Sequence, residues 1–207
     1  MSEKIVDFSI DHFVLPVLQD FYDRISSRGI NRQDITGLLV RLLTSYFSNP
    51  ENIKYNEIKQ RVWKPGDDTG ILIESVGRFR PELAEKRPAI LVRPGEWKKI
   101  IQGLQSELIS TDTYQPNKRY ILVIQGSHNI IVVSKNPAET EILSDEVFKF
   151  LDLLKIVAPA TTPIDFLRVL GISELKPLAE QRTHYYSVIP LVYNISQTYN
   201  VSLIVRQ

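Results

Sequence analysis

The chain of 207 residues contains no cysteine, only three histidines and no long apolar run. Without cysteine, disulfide bonds, thiolate catalysis and the usual structural zinc sites are excluded, and assembly in a reducing cytoplasm is favoured. His12, His128 and His184 follow neither the H-x-H nor the H-E-x-x-H spacing of metal sites. No segment approaches the roughly 20 apolar residues that span a bilayer, and the first residues do not resemble a secretory signal. We therefore expect no metal, no cofactor and no membrane contact.

An excess of charge is also missing. The chain has 25 lysine and arginine residues against 24 aspartate and glutamate residues. A protein that binds nucleic acid mainly through phosphates carries a basic excess, so DNA is not expected as the main ligand. The glycine-containing segment at 64–70 lacks the order of a phosphate-binding loop and is typical of a turn. With 43% hydrophobic residues, the length suits one domain over residues 1–207.

The most informative segment, residues 118–157, changes from strand to helix periodicity. Residues 120–124 and 130–133 consist of tyrosine, isoleucine, leucine and valine, which suit a half-buried sheet surface. Asn136 can accept from amides of a following helical turn, and Pro137 suits the first helical position. The sequence therefore predicts strand residues followed by a helix over 137–157.

This helix is predicted to be amphipathic, because its apolar residues recur every three or four positions. The apolar stripe consists of Ile142, Leu143, Val147, Phe150, Leu151 and Leu154. The charged residues predicted to fall largely outside the stripe are Glu139, Glu141, Asp145, Glu146 and Lys149. Two prolines at 158–163 are expected to interrupt the pattern.

The first 60 residues are predicted to form a helical N-terminal part. One helix, over 14–28, would place Val14, Leu18, Phe21, Tyr22 and Ile25 on one face, with Gly29 after its end. A second helix would begin with Asp34 as its N-cap and end before Pro50. The two helices are expected to pair as a hairpin.

Further strands are predicted at 71–76, 89–92, 165–175 and 184–205, and a short helix at 97–108. The C-terminal strand region at 184–205 is far longer than the usual five or six residues. Pro190 within it cannot donate to a ladder, so an edge, a bulge or a bend is expected there. The predicted fold class is α/β (α+β), with a mostly antiparallel β-sheet packed by the amphipathic helix and an N-terminal helical pair.

Three sequence blocks in a fixed order resemble tail terminator or neck (tail completion) proteins of tailed bacteriophages. They are KRPAILVRPGEW at 86–97, GSHNIIVVS at 126–134 and AETEILSDEVFKFL at 138–151. The strand-rich C-terminal region fits the same plan, whereas about the first 60 residues match no pattern of that family. The resemblance implies a small structural subunit without enzymatic activity. Copies of it would form a ring, typically hexameric, that ends the tail tube and joins it to the neck.

The resemblance also implies the location and the partners. The chain would be a virion protein of the tail and neck region, assembled in the host cytoplasm. Its partners would be other copies of itself, the tail tube protein, the sheath protein if the tail is contractile, and neck or connector proteins. Genomic DNA would at most pass through the lumen as cargo.

Candidate contact residues come from two regions of unusual pattern. Residues 78–88 form a polar excursion of mixed charge between two predicted strands, which we interpret as an extended loop or arm. From it and from the overlong C-terminal strand region, together with one tryptophan, the predicted interface residues are Arg78, Arg80, Glu82, Glu85, Lys86, Arg87, Trp97, Tyr193 and Tyr199. Tryptophan is enriched at interfaces, and a core position is equally consistent with its sequence context.

Two alternatives remain. A head-completion or adaptor protein of the connector belongs to the same structural class. A metal-dependent DNA nuclease belongs to another class, because Asp165, Glu174 and Lys176 loosely resemble the P-D and E-x-K pattern in which two carboxylates hold a divalent cation. Here the aspartate is displaced by one residue from that pattern.

Overall fold

A computed structural model of the chain describes residues 11–26, 29–61, 70–79, 87–100, 117–178 and 183–202. These residues form four α-helices and a six-stranded mixed sheet, so the predicted α+β class with an N-terminal helix pair is confirmed. The helices are α1 (Asp11–Ile25), α2 (Arg32–Ser48), α3 (Asn56–Lys59) and α4 (Pro137–Thr161). The strands are β1 (Leu72–Ser75), β2 (Ala89–Lys99), β3 (Asn117–Ser134), β4 (Ile164–Val169), β5 (Lys176–Pro177) and β6 (Tyr185–Ser202).

The sheet is built around β3 and β6. The strand order is β1-β2-β3-β6-β4, and β5 pairs with β6 on the same side as β4. Only the β1–β2 pair is parallel among the described strands. β3 and β6 each have 18 residues and pair along their whole length. The two apolar runs predicted at 120–124 and 130–133 are therefore parts of one strand, and the overlong C-terminal strand is confirmed.

The longer helices cover one face of this sheet. α2 lies over β1 and β2, α4 lies over β3, β4 and β6, and α1 packs against both α2 and α4. The core between the layers is apolar and includes residues from every longer strand and helix. On the opposite face, a smaller cluster consists of Leu72, Ala89, Leu91 and Val133. None of the described helices is both long enough and apolar enough to cross a membrane.

α4 begins as the sequence predicts and ends later. The Asn136 side chain accepts from the amide of Ala138, and Pro137 occupies the first turn. Five of the six predicted stripe residues, Leu143, Val147, Phe150, Leu151 and Leu154, are buried, and the sixth, Ile142, is half-buried against the core. The helix does not end at 157, because buried Ala158 continues the packed face while Pro159 faces solvent.

The N-terminal helices differ from the prediction in two details. Tyr22, predicted on the buried face of α1, is 46% exposed. The buried face of the helix includes the preceding residue, Phe21, and Tyr22 lies beside that face. Asp34 is not the N-cap of α2. That role belongs to Asn31, whose side chain accepts from the Asp34 amide at 3.0 Å while the Asp34 carboxylate accepts from the Asn31 amide at 2.9 Å. This reciprocal capping box satisfies two amides that would otherwise lack partners.

Two other predicted boundaries are wrong. Residues 97–99 belong to β2 and pair with β3, so the helix expected to begin at Trp97 does not begin there. The strand predicted at 165–175 stops at Val169, and Gly171 then adopts a φ of 136°, which favours glycine and interrupts the extended backbone.

Pro190 explains where β4 stops. It lies in the interior strand β6 opposite Asn129, contrary to the expected edge, bulge or bend. Its carbonyl accepts from the Leu170 amide at 2.9 Å, on the side where β4 pairs. In an antiparallel ladder the amide and carbonyl of one residue point to the same neighbour. The nitrogen of Pro190, which has no hydrogen to donate, therefore faces the gap between β4 and β5, where the ladder is already interrupted.

The α4 stripe gives a direct test of the packing. Leu143→Ala or Leu151→Ala should lower the free energy of unfolding by about 2 to 5 kcal/mol, because each side chain is fully buried and truncation leaves a cavity. Glu141→Ala on the exposed side of the same helix should cost little. Chemical denaturation measures both, and equal small losses would show that the helix faces the sheet differently.

Candidate subunit interface

Two aromatic residues predicted at an interface meet inside the subunit instead. Tyr193 is 1% exposed, and its ring lies 6.3 Å from that of half-buried Trp97 in an edge-to-face arrangement. Position 193 belongs to the β6 residues that face the helices, so its side chain is enclosed by the core. Tyr193 therefore presents no surface to a neighbouring subunit, and its assignment as a contact residue is wrong.

Tyr193 instead starts a buried chain of hydrogen bonds. Its hydroxyl lies 2.8 Å from Nδ1 of His128, and His128 Nε2 lies 2.8 Å from the Thr36 hydroxyl. Thr36 donates its own proton to the Arg32 carbonyl at 3.1 Å, so it accepts from Nε2–H of His128. Nδ1 is then the acceptor for Tyr193. The chain joins β6, β3 and α2 through one neutral histidine.

Gly126 makes room for this arrangement. It pairs with Tyr193 across the ladder, and a Cβ at this position would lie 2.4 Å from a carbon of the tyrosine ring. Only glycine allows the ring to lie across β3 at this point. The neighbouring bulge in β2 is held by the Ser127 hydroxyl, which accepts from the Glu96 amide at 2.8 Å.

Burial fixes the protonation state of the histidine. It lowers the pKa of His128 to about 4, and the positive charge of Arg32 lowers it further in the same direction. Burial also raises the pKa of Tyr193 above its ordinary value. Both groups are therefore neutral near pH 7, as the direction of the hydrogen bonds requires.

The buried histidine predicts a pH dependence of stability. The unfolded chain binds a proton at His128 near pH 6.5 and the folded chain only near pH 4, so stability is lost as the pH falls between these values. This group should make the protein about 2 kcal/mol less stable at pH 5 than at pH 7. Urea denaturation at both pH values measures the loss. A His128→Gln protein should lack this component, and an equal loss in that protein would contradict the assignment.

Glu146 is a second buried polar residue, and the sequence pattern placed it outside the packed stripe of α4. It is fully buried, and its carboxylate accepts from the Tyr46 hydroxyl at 3.0 Å and from the Lys54 amide at 2.7 Å. Lys149 lies 3.9 Å away. Burial raises the pKa of Tyr46, and the negative charge of Glu146 raises it further. Glu146 therefore ties α4 to the segment after α2, which is a structural role.

β3 and β6 continue beyond their neighbours. β2 pairs with β3 only as far as Ile124, and β4 pairs with β6 only as far as Ile195. The six pairs between residues 117–122 and 197–202 join β3 and β6 to each other alone within the described part of the chain. We call this ribbon the β3–β6 extension, and it is about 20 Å long at roughly 3.4 Å per residue. Tyr199 lies in it, opposite Tyr120.

The edge formed by β4 exposes apolar side chains. Phe166, Leu170 and Ile172 are 45%, 55% and 38% exposed. β4 pairs with β6 on one side, and no described strand pairs with its other side. An exposed apolar edge strand invites pairing with another chain. We call residues 164–172 the β4 edge.

The opposite edge of the sheet has a different character. A cavity of about 600 Å³ opens beside β1, between α1, α2 and the end of the short helix Val76–Arg78. We call it the arginine cavity, and its lining is Arg24, Gln33, Thr36, Gly37, Val40, Arg41, Ile73, Glu74, Ser75 and Arg78. Arg24 and Arg41 lie 3.2 Å and 2.5 Å from the carboxylate of Asp20, and the hydrogen bond from Arg41 lowers the pKa of Asp20.

The predicted charged arm is only partly described. Arg78 is exposed at the rim of the arginine cavity, and Arg87 is half-buried shortly before β2. The other four predicted contact residues of the arm, Arg80, Glu82, Glu85 and Lys86, lie outside the described residues. Their role in an interface stays a prediction.

The residues of the nuclease alternative do not form one site within the subunit. Ile164, beside Asp165, lies opposite Ile195 on β6, whereas Lys176 lies opposite Tyr186. Nine residues of extended strand separate those partners, which corresponds to about 30 Å. The Asp165 carboxylate accepts instead from the Ser196 hydroxyl. Lys176 is therefore too far from Asp165 to position the attacking water of a metal ion held by that carboxylate.

The sequence matches no protein-family model, and no curated protein is significantly similar to it.

Proposed function

We propose that this chain is a structural virion protein of a tailed bacteriophage, a tail terminator or neck subunit that acts as a ring. Within the described residues, the three sequence blocks behind this assignment lie mainly on β2, β3 and α4. β2 pairs with β3, and α4 packs against β3, so the blocks belong to one contiguous unit. The resemblance is thus carried by residues that pack together.

The observation that carries the ring proposal is the difference between the two sheet edges. A ring requires heterologous contacts, in which one surface of a subunit meets a different surface of the next. The β4 edge is apolar at Phe166, Leu170 and Ile172, whereas the edge at β1 borders a cavity lined by three arginines. Unlike surfaces at opposite edges suit a head-to-tail contact better than a two-fold one.

The β3–β6 extension supplies a second contact element. A two-stranded ribbon alone in water is marginally stable, so pairing or packing against another subunit would stabilise it. In the proposed ring, one face would match the last ring of the tail tube and the other would match the neck. Tail growth would then stop, and head joining would begin, because the two faces differ.

The ring proposal has a direct test. Class averages from electron microscopy of the purified protein, or native mass spectrometry, should reveal closed rings, hexamers being expected. If a ring forms only on tail tubes, the same averages of tubes mixed with the protein should have a cap at one end. Monomers that bind no tube would contradict the proposal.

Two alternative functions have distinct outcomes in a phage that encodes the chain. Loss of a terminator should give tails of irregular length, whereas loss of a head-completion adaptor should give normal tails beside unjoined heads. A nuclease should cleave DNA in the presence of magnesium and should lose that activity in the Asp165→Ala protein. The separation of the candidate residues on β6 disfavours the nuclease.

The charged arm should be needed for assembly and not for folding. Replacement of residues 80–85 by a short glycine bridge should leave the monomer folded, because surface segments tolerate a change of length at low entropic cost. Ring formation or tail joining should fail. Thermal unfolding measures the first result, and the yield and tail length of assembled particles measure the second.

A serine and glycine segment of the original length is the matched control for that deletion. If it fails as well, the charges of the arm are required, and if it assembles, length alone is required. Normal particle yield with normal tail length in the deleted protein would show that residues 80–85 are not an assembly arm.

A further inference from the structure

Gly37 lies in the middle of α2 without an internal packing reason. A Cβ at this position would meet no heavy atom of the described residues within 4 Å, and Gly37 lines the arginine cavity. Glycine inside a helix lowers helix stability relative to alanine. A helical glycine without a side chain leaves space in which another chain can approach the helix closely. The open surface above Gly37 is therefore suited to receive a partner.

The cavity around Gly37 combines positive charge with an apolar floor. Its lining contains three arginines, Arg24, Arg41 and Arg78, and one acidic residue, Glu74. Asp20 forms ion pairs with Arg24 and Arg41 and partly neutralises their charge. Val40 and Ile73 contribute the apolar surface. A fitting partner is therefore a short segment that presents apolar side chains beside a carboxylate.

The chain itself has such a segment at its other edge. Residues 170–175 follow β4 and stay attached to β6 through the amides of Leu170 and Ser173. Leu170 and Ile172 are among the most exposed apolar residues described, and Glu174 is exposed beside them. Glu141, Asp145 and Glu174 border a smaller cavity behind this segment, and no basic residue is among the described residues of its lining. Lys176 follows in β5. We call residues 170–175 the acidic loop.

We infer that the acidic loop of one copy seats in the arginine cavity of the next copy. Glu174 lies against Arg78, and Ile172 lies over Gly37 between the apolar residues of the cavity. The strand order places the two surfaces at opposite edges of the sheet, four strand spacings or about 19 Å apart, so the contact is head-to-tail. This inference rests on the proposed ring and identifies the surfaces that would close it.

The absence of cysteine makes a cross-linking test clean. An Ile172→Cys protein mixed with a Gly37→Cys protein should form a covalent dimer with a short bismaleimide linker, and neither protein alone should do so. A Cβ at position 37 meets no heavy atom within 4 Å among the described residues of its own subunit. Ile156→Cys, at a 68% exposed site on α4, is the matched control and should not link to Gly37→Cys.

Charge exchange tests the same contact without a linker. Glu174→Arg and Arg78→Glu should each weaken self-association by about ten-fold or more, because each places like charges together. A mixture of the two proteins should recover association. In an assembly in which the two proteins alternate, every interface pairs one positive side chain with one negative side chain. Gly37→Ala should raise the Tm of the monomer, because alanine is the better helix former. Sedimentation velocity measures association, and circular dichroism measures folding.

The outcomes separate this contact from the proposed function. Rings that form without the 172–37 cross-link overturn the contact and leave the function standing. The specific cross-link in a protein that neither caps tails nor joins heads supports the contact and overturns the function. Linkage of Ile172→Cys to itself would show a two-fold contact. An intramolecular link between Gly37→Cys and Glu82→Cys would assign the cavity to the chain's own arm, and either result overturns the inference.

Discussion

The continuous pairing of β3 with β6 is the constraint on which the other elements depend. Each strand has 18 residues, and the ladder between them is unbroken. β2 and β4 attach to its two sides over only part of its length, and α4 covers its helix-facing side. A register shift of one residue would turn every core side chain of one strand to the other face, so the packed layers fix the register. The part of the ladder that extends beyond β2 and β4 is the β3–β6 extension, and the same register determines its pairing.

Buried polar groups orient the helices on this sheet. The chain from Tyr193 through His128 to Thr36 positions α2, and Glu146 positions α4 against the segment after α2. Each net hydrogen bond contributes only about 1 kcal/mol, whereas a buried group left without its partner costs about 1 to 3 kcal/mol. Such groups therefore select one arrangement of the layers more strongly than they add stability.

Periodicity in the sequence was sufficient for the elements whose environment is one-sided. The α4 stripe and the long C-terminal strand were predicted because burial of one face imposes a period of 3.6 or 2. Periodicity does not predict a buried polar residue whose hydrogen-bond partner lies far along the chain. Glu146 is bonded to Tyr46, 100 residues away, and Tyr193 to His128, 65 residues away, so neither partner is visible in a local pattern. The same limit applies to the candidate interface. Sequence singled out Arg78, whereas Gly37 and the acidic loop became visible only once the sheet edges were known.

Pro190 has a consequence for how the strand edge behaves toward other molecules. An unbroken outer edge on an 18-residue strand would be a template for the addition of further strands, one after another, as in fibre growth. Because Pro190 offers no donor on that side, the partners of β6 are divided into β4 and the two-residue β5. A newly added strand could not follow the whole edge in one register. One imino acid in the middle of the longest ladder thus limits how far an added strand can extend along this side of β6.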